Sequence, residues 1–192
     1  LQKGTIHIKD VAPPLINDHS ILVRVHYSFI STGTENATIN TSNQSLIVKY
    51  SSNIVANTTK VLETFKEHGI SGTIALTKEK LNKLLPLGYS CSGQVLAIGS
   101  EVEKFRIGDY VACAGAAFAN HADIVSIPQN LAVKVINPEN LKYASLSAIG
   151  AIALQGIRRA QLQLGETVCV IGLGLIGQIT LQFAQHAGCK VI

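Results

Sequence analysis

Hydrophobic and polar residues alternate over short stretches of the chain up to about residue 138, and a period of two predicts β-strands. The predicted strands cover residues 5–9, 21–27, 90–98, 110–113 and 122–127. Glycine, proline, asparagine and aspartate residues mark turns between them. Many short strands joined by such turns are typical of a β-barrel or a sandwich-like domain.

Other stretches carry apolar residues at helical spacing. Between about 38 and 85 this spacing predicts a helical insertion of two helices, the second of which ends at Pro86. Asn137-Pro138 forms a good N-cap and first-turn pair for a short helix. A further helix is predicted from about 148 to 160.

The most informative stretch of the chain runs from residue 167 to residue 177. Its β-branched residues predict a buried strand, glycines then follow in G-x-G-x-x-G spacing, and an amphipathic helix comes next. In a dinucleotide site the first glycine permits a tight turn, the second lets the backbone approach a pyrophosphate, and the third lets helix and strand pack closely. The alternative is a glycine-rich turn in an unrelated α/β core. The expected cofactor-binding residues are Gly172, Leu173, Gly174, Leu175, Ile176 and Gly177.

A second strand begins at Cys189, where a nucleotide-binding fold requires one, and the sequence ends at Ile192. The acidic residue that binds the ribose hydroxyls is expected about 20 residues after the glycines, beyond Ile192. A parallel sheet also needs neighbouring strands on both sides. We therefore expect the chain to be part of a longer protein, or a partner chain to cover this surface.

Composition and charge favour an enzyme with a core of ordinary size. Hydrophobic residues make up 47% of the chain and charged residues 15%, which is ample material for a core. The net charge of +4 is scattered and aromatic residues are only 5%, so nucleic acid is not an expected partner. The longest apolar run is too short to cross a bilayer. We expect a cytoplasmic protein with a small-molecule substrate and no membrane partner, and leave a homo-oligomer open.

The cysteines and histidines do not form a recognisable metal motif. The four cysteines lie at positions 91, 113, 169 and 189, and none forms a C-x-x-C pair. Their apolar, strand-like settings predict small buried residues. The six histidines are dispersed. A structural zinc knuckle is therefore not expected.

Three ordered runs resemble the medium-chain dehydrogenases/reductases. The run 87–111, which begins Leu87-Gly-Tyr-Ser-Cys-Ser-Gly and ends Ile-Gly-Asp-Tyr-Val111, resembles their GroES-like domain. The run 118–128, Phe-Ala-Asn-His-Ala-Asp-Ile-Val-Ser-Ile-Pro, is similar to the strand that precedes the domain crossover in this family. The run 164–177 is similar to the segment that enters the family's Rossmann domain. The resemblance covers nearly all of the chain except the insertion.

This resemblance implies an α/β (α+β) fold of two domains. A GroES-like β-barrel domain with the helical insertion would cover residues 1–145, and the start of a Rossmann doubly wound parallel sheet would cover residues 146–192. The runs 28–35, 86–90 and 112–115, together with the insertion, further resemble a zinc-lacking subgroup. In that subgroup the dehydrogenase part is fused to a Gfo/Idh/MocA-type oxidoreductase domain, often linked to surface-polysaccharide synthesis.

The chain departs from the zinc-dependent members at two expected ligand positions. Thr32 stands where they carry a cysteine before a Gly-Thr-Asp-like turn, and Gly88-Tyr89-Ser90 stands where they carry Gly-His-Glu. Threonine and tyrosine do not replace a thiolate and an imidazole as zinc ligands at neutral pH. No zinc is therefore expected, and hydrogen bonds would have to polarise a carbonyl group.

Six residues are candidates for that catalytic work, and for each the alternative is a simpler structural role. Tyr89 falls at a substrate-contacting position by the resemblance, and its phenol can donate to a developing alkoxide. Thr32 and Ser90, with the nearby Thr34, would orient a hydroxyl or carbonyl group. Glu35 would act as a base or as the partner of an arginine or ribose. His121, in a short loop before a strand, would relay protons.

The resemblance implies an NAD(P)-dependent dehydrogenase or reductase, with NAD or NADP as cofactor. It would transfer hydride at an alcohol or carbonyl carbon, and a sugar or nucleotide-sugar is one candidate substrate. Two alternatives stay open. One is a nucleotide-binding or scaffolding module without turnover, and the other is a zinc-dependent alcohol dehydrogenase with unusual ligands.

Overall fold

The computed structural model describes residue 1, residues 5–43 and residues 86–192. The chain divides into two compact units, Leu1–Ala12 with Ile30–Leu87, and Pro13–Phe29 with Gly88–Ile192. Most of the predicted helical insertion, residues 44–85, lies outside the described residues. The predicted division of the chain at residues 145 and 146 stays a prediction.

Five antiparallel strands form the main sheet of the second unit. They are β1 (Ser20–Ser28), β2 (Ser90–Ile98), β3 (Tyr110–Ala114), β4 (Ile124–Pro128) and β5 (Ala132–Lys134). Their order across the sheet is β4-β1-β2-β3-β5. Four strands predicted from alternation are confirmed to within a few residues, and β5 was not predicted.

The predicted strand at residues 5–9 is wrong. Thr5 makes an isolated bridge, and residues 6–9 form no regular structure. Ile6 and Ile8 are 58% and 100% exposed. Alternation alone does not make a strand, because the apolar face also needs a surface to cover it.

The core of this second unit lies on one face of the sheet and under the turns beside it. Ile21, Val23, Val95, Val111 and Ile127 are almost completely buried there. Val102 and Phe105, from the turn between β2 and β3, close the same cluster. Burial of each such side chain stabilises the fold by about 1.5–3 kcal/mol.

Four α-helices lie within the described residues. They are α1 (Thr32–Asn43), α2 (Leu141–Ala144), α3 (Ser147–Ala160) and α4 (Leu175–His186). Asn137 is confirmed as the cap of a 3-10 helix, Pro138–Asn140, that directly precedes α2, because its side chain accepts a hydrogen bond from the backbone N–H of Glu139. α3 packs against α4.

The final segment forms a parallel βαβ unit. β6 (Thr167–Val168) pairs in parallel with β7 (Lys190–Val191), and α4 lies between them in sequence. Parallel pairing requires a crossover of this kind, which the glycine motif predicted. The described residues thus show a mixed α/β fold with an antiparallel sheet. Closure of a GroES-like barrel stays a prediction.

The cysteine prediction is correct at three positions and wrong at one. Cys91 and Cys113 face each other across β2 and β3 and are fully buried, and Cys189 is 8% exposed. Cys169 is exposed, because β6 has only β7 beside it among the described residues.

Candidate functional site

The loop between β6 and α4 is held at both ends. The N–H of Val170 donates to the carbonyl of Ile192 (3.1 Å), and the N–H of Ile192 donates to the carbonyl of Val168 (2.9 Å). These bonds continue the parallel ladder past β6 to the residue before the loop. Helix α4 begins at Leu175, so its N-terminus lies directly at the carboxyl end of this strand. In open α/β folds this is the place where nucleotide phosphates bind.

Two of the three motif glycines are required by the fold itself. Gly172 has φ +95°, a left-handed conformation that side chains disfavour. A Cβ on Gly177 would overlap the carbonyl oxygen of Gly172, so the first turn of α4 approaches the loop backbone closely only without a side chain. The tight turn therefore explains the glycine at position 172, and the close packing of helix and loop explains the glycine at position 177. Both roles are the ones that the motif predicted.

Within the described residues, neither backbone conformation nor close packing requires a glycine at position 174. Its φ of −67° and ψ of −179° suit any residue, and nothing lies within 4 Å of a Cβ built on it. It is the residue immediately before α4, where the first backbone N–H groups of the helix lack partners within the helix. A bare Cα at this point leaves room for an anion to approach those N–H groups. The residues present therefore fit the pyrophosphate of a dinucleotide.

The apolar members of the predicted cofactor set line the same loop. Leu173, Leu175 and Ile176 are 63%, 41% and 45% exposed. Their side chains therefore lie on the surface of the described residues, where a bound molecule can contact them.

Ser90 is the first residue of β2. It is completely buried, and its hydroxyl donates to the carbonyl of Ser145 at 2.6 Å and accepts from the N–H of Ala148 at 3.3 Å. Both its donor and its acceptor capacity are used inside the protein. Ser90 therefore joins the sheet to α2 and α3, and its role toward a substrate stays a prediction.

Tyr89 and His121 lie in the same compact unit as the glycine loop. Tyr89 is half-buried just before β2, and its carbonyl accepts a hydrogen bond from the N–H of Gly115 at 2.8 Å. Its phenol has no hydrogen-bond partner among the described residues, which keeps the predicted role as a donor open. His121 is half-buried in the loop before β4, where it was predicted.

Thr32, Thr34 and Glu35 lie in the other unit and form the first turn of α1. The helix begins at Thr32, so the residues that follow it are helical in this chain. The Glu35 carboxylate accepts from the backbone N–H of Ser31 at 3.2 Å, and the Ser31 hydroxyl donates to that of Thr34 at 3.1 Å. The bond from Ser31 N–H gives Glu35 a structural role at the start of α1.

Sequence reasoning missed two residues that contact His121. The Ser28 hydroxyl lies 3.0 Å from Nδ1 of His121. A Cβ on Gly88 would lie 2.7 Å from the backbone nitrogen of His121 and 2.9 Å from Nδ1. These residues are far apart in sequence, and no local pattern pairs them. The only available signal was the glycine beside Tyr89.

The described residues contain neither a metal-binding cluster nor a membrane span. No three histidine, cysteine or carboxylate side chains gather there at a distance that suits a metal ion. The absence of zinc stays a prediction. No helix in the described part of the chain has the length and hydropathy to cross a membrane.

Comparisons with known proteins give both dehydrogenases and polyketide synthases as relatives. No protein-family model matches the chain. It is 31% identical over 106 residues to D-guloside 3-dehydrogenase of Escherichia coli K12, which covers 55% of this chain and 30% of that enzyme.

Two solved structures agree over nearly all of the chain. The quinone oxidoreductase of Coxiella burnetii superposes with a TM-score of 0.70 at 21% identity, and covers 99% of this chain and 52% of that one. A putative zinc-binding dehydrogenase of Sinorhizobium meliloti bound to NADP superposes with a TM-score of 0.71 at 18% identity. The match covers 99% of this chain and 53% of that one. This chain thus spans about half the length of each structure. In sequence it is similar to a sugar dehydrogenase, and it has the fold of the quinone oxidoreductases and zinc-type dehydrogenases.

Proposed function

We propose that this chain forms part of an NAD(P)-dependent oxidoreductase of the medium-chain dehydrogenase/reductase type. The β6–α4 loop binds the pyrophosphate of the dinucleotide through the N-terminus of α4. The observation that carries the proposal is Gly174, the motif glycine that the fold does not need.

The reaction we propose is hydride transfer at the carbon of a secondary alcohol or ketone of a sugar. The similarity to D-guloside 3-dehydrogenase supports the sugar. Oxidation of such an alcohol releases a hydride from carbon and a proton from oxygen, and a nicotinamide bound at this loop would supply the hydride acceptor. Tyr89 donates a hydrogen bond to the substrate oxygen, and His121 takes the proton.

Replacement of Gly174 by valine tests the cofactor site. Valine is tolerated by the extended backbone and meets no neighbour, so the fold should remain intact. Its side chain would occupy the space needed for the pyrophosphate. We expect fluorescence titration of the full-length protein to show at least a tenfold weaker affinity, about 1.4 kcal/mol, for whichever of NADH and NADPH it binds.

Gly156→Val is the matched control. Gly156 is an exposed glycine of α3, and a Cβ built on it also meets nothing within 4 Å. This variant should bind the dinucleotide as the wild type does. Equal affinity of Gly174→Val and wild type, with unchanged circular dichroism, would contradict the proposal.

We further propose that catalysis is independent of zinc. The support is chemical, since Thr32 and Tyr89 stand at the two expected ligand positions. Elemental analysis of the purified protein tests this. About one zinc ion per chain, retained through mild chelation, would instead favour a zinc enzyme with unusual ligands. Dinucleotide binding with no turnover of any sugar, alcohol or quinone would favour a binding module.

A further inference from the structure

The end of β1 and the loop before β4 meet at the pair formed by Ser28 and His121. The loop is tied to β1 on its other side as well, because the N–H of Val25 donates to the carbonyl of Asp123 at 2.9 Å. β4 then pairs with β1 from Ile124 onward, opposite Arg24. Pairing with β1 therefore holds the backbone that follows His121. The 3.0 Å contact joins Ser28 Oγ, at the end of β1, to Nδ1 of His121.

Gly88 forms the other wall of this position. Its φ of +94° and its missing side chain bring its Cα against His121, since a Cβ would lie 2.9 Å from Nδ1 and 3.0 Å from Cε1. The ring edge that carries Nδ1 thus faces Gly88 and Ser28 together. Gly88 also directly precedes Tyr89, so the same backbone positions both proposed catalytic side chains.

We propose that Ser28 is the positioning residue of His121, so that the ring exchanges the substrate proton at Nε2. This inference rests on the proposed function. Ser28 acts only through the imidazole.

The hydroxyl group is suited to this task because it both donates and accepts. When Nε2 carries the proton of the neutral ring, Ser28 Oγ–H donates to Nδ1. When Nδ1 carries it, Nδ1–H donates to Oγ and Nε2 is the basic atom that takes the proton from the substrate hydroxyl. A carboxylate in this place would favour the second state alone. Uptake of the substrate proton at Nε2 gives the imidazolium, whose Nδ1–H still donates to Oγ, and in the reductive direction this cation returns the proton from Nε2 to the substrate oxygen.

The test uses two variants of the same shape, Ser28→Thr and Ser28→Val, in the full-length protein labelled with 15N-histidine. The signals of His121 are assigned by their loss in His121→Gln. We expect the ring 15N shifts of Ser28→Thr to match those of the wild type, because threonine keeps the hydroxyl. In Ser28→Val the Nδ1 signal should move, because its hydrogen bond is gone. Identical Nδ1 shifts in Ser28→Val and the wild type would overturn the inference, and so would an equal displacement in both variants.

Turnover separates this inference from the proposed function. Oxidation of D-glucose and methyl glycosides with NAD⁺ or NADP⁺ supplies the probe reactions. We expect a fall in kcat of about 10- to 100-fold for Ser28→Val, with cofactor affinity unchanged and activity restored in Ser28→Thr. His121→Gln should lose about 100-fold or more. Loss of cofactor binding in the wild type would refute the proposed function, whereas full activity of Ser28→Val would refute the positioning role alone.

Discussion

At the scale of single residues, chemical type alone did not separate catalytic from structural side chains. Ser90 was predicted to orient a substrate because it follows Gly88-Tyr89. Its complete burial and its bonds to Ser145 and Ala148 make it a link between β2 and the helices that follow. Ser92 does the same further along the strand, where its hydroxyl donates to the carbonyl of Leu141.

Replacement of Ser90 by alanine should therefore lower stability and leave cofactor affinity unchanged. The change leaves buried backbone groups without one of their partners, which costs about 1–3 kcal/mol. Chemical denaturation and NADPH titration measure the two effects.

Ser100→Ala is the control, because the Ser100 hydroxyl bonds Asp18 at the surface, where water can replace it. Its stability should stay within about 0.5 kcal/mol of the wild type. An unchanged stability of Ser90→Ala combined with weaker cofactor binding would show that Ser90 acts at the site and not in the core.

At the scale of elements, the short edge strand β5 is held to the sheet partly by charge. Lys134, its last residue, pairs with Asp109 at 2.7 Å, and Asp109 also accepts from the N–H of Arg106. The hydrogen bond from Lys134 lowers the pKa of the Asp109 carboxyl below its usual value of 3.8. A lowered folded-state pKa stabilises the fold above the unfolded pKa, and this contribution is lost as pH falls through the folded value.

The stability difference between the wild type and Asp109→Asn should accordingly depend on pH. Lys134 is 46% exposed, so screening by solvent limits the expected difference to about 0.5–1 kcal/mol near neutral pH. It should shrink as pH falls below about 4, when the carboxylate is protonated. Urea denaturation at pH values from about 3 to about 7, which bracket the ordinary carboxyl titration, measures this difference.

Glu103→Gln is the control for this prediction. Glu103 is exposed in the same unit, so its replacement should change stability by no more than about 0.5 kcal/mol. A constant difference for Asp109→Asn across the whole pH range would refute the electrostatic account.

At the scale of the whole molecule, the five-stranded sheet and the βαβ segment differ in how much apolar surface they cover. Ile21, Val23 and Val111 of the sheet are fully buried, whereas Ile171 and Leu164 near β6 are 95% and 86% exposed. Regions with few buried apolar contacts open locally at lower free energy.

Hydrogen exchange of a polypeptide of residues 1–192 should reveal this difference. The amides of Val170 and Ile192 should exchange faster than those of Val23 and Val95, because less buried surface opposes their opening. Addition of NADPH should slow exchange at Val170 and leave the sheet unchanged, since a ligand of the native loop stabilises it. Equal protection of both regions without ligand would contradict this expectation.

The sequence by itself determined the elements whose signals are local. Period-two alternation located β1 to β4 to within a few residues, Asn137-Pro138 located a helix start, and the spacing of Gly172, Gly174 and Gly177 located the β6–α4 loop. These signals are readable because backbone conformation and strand or helix period depend on neighbouring residues.

Only the tertiary structure decided which polar side chains remain available for chemistry. In the folded chain Ser90 is buried, and Glu35 accepts a hydrogen bond at the start of α1. Ser28 contacts His121 although 93 positions of sequence separate them. The sequence predicted a strand at residues 5–9 that does not form, because its isoleucines meet no apolar surface among the described residues. Such outcomes depend on which distant elements pack together, and no local pattern encodes that contact.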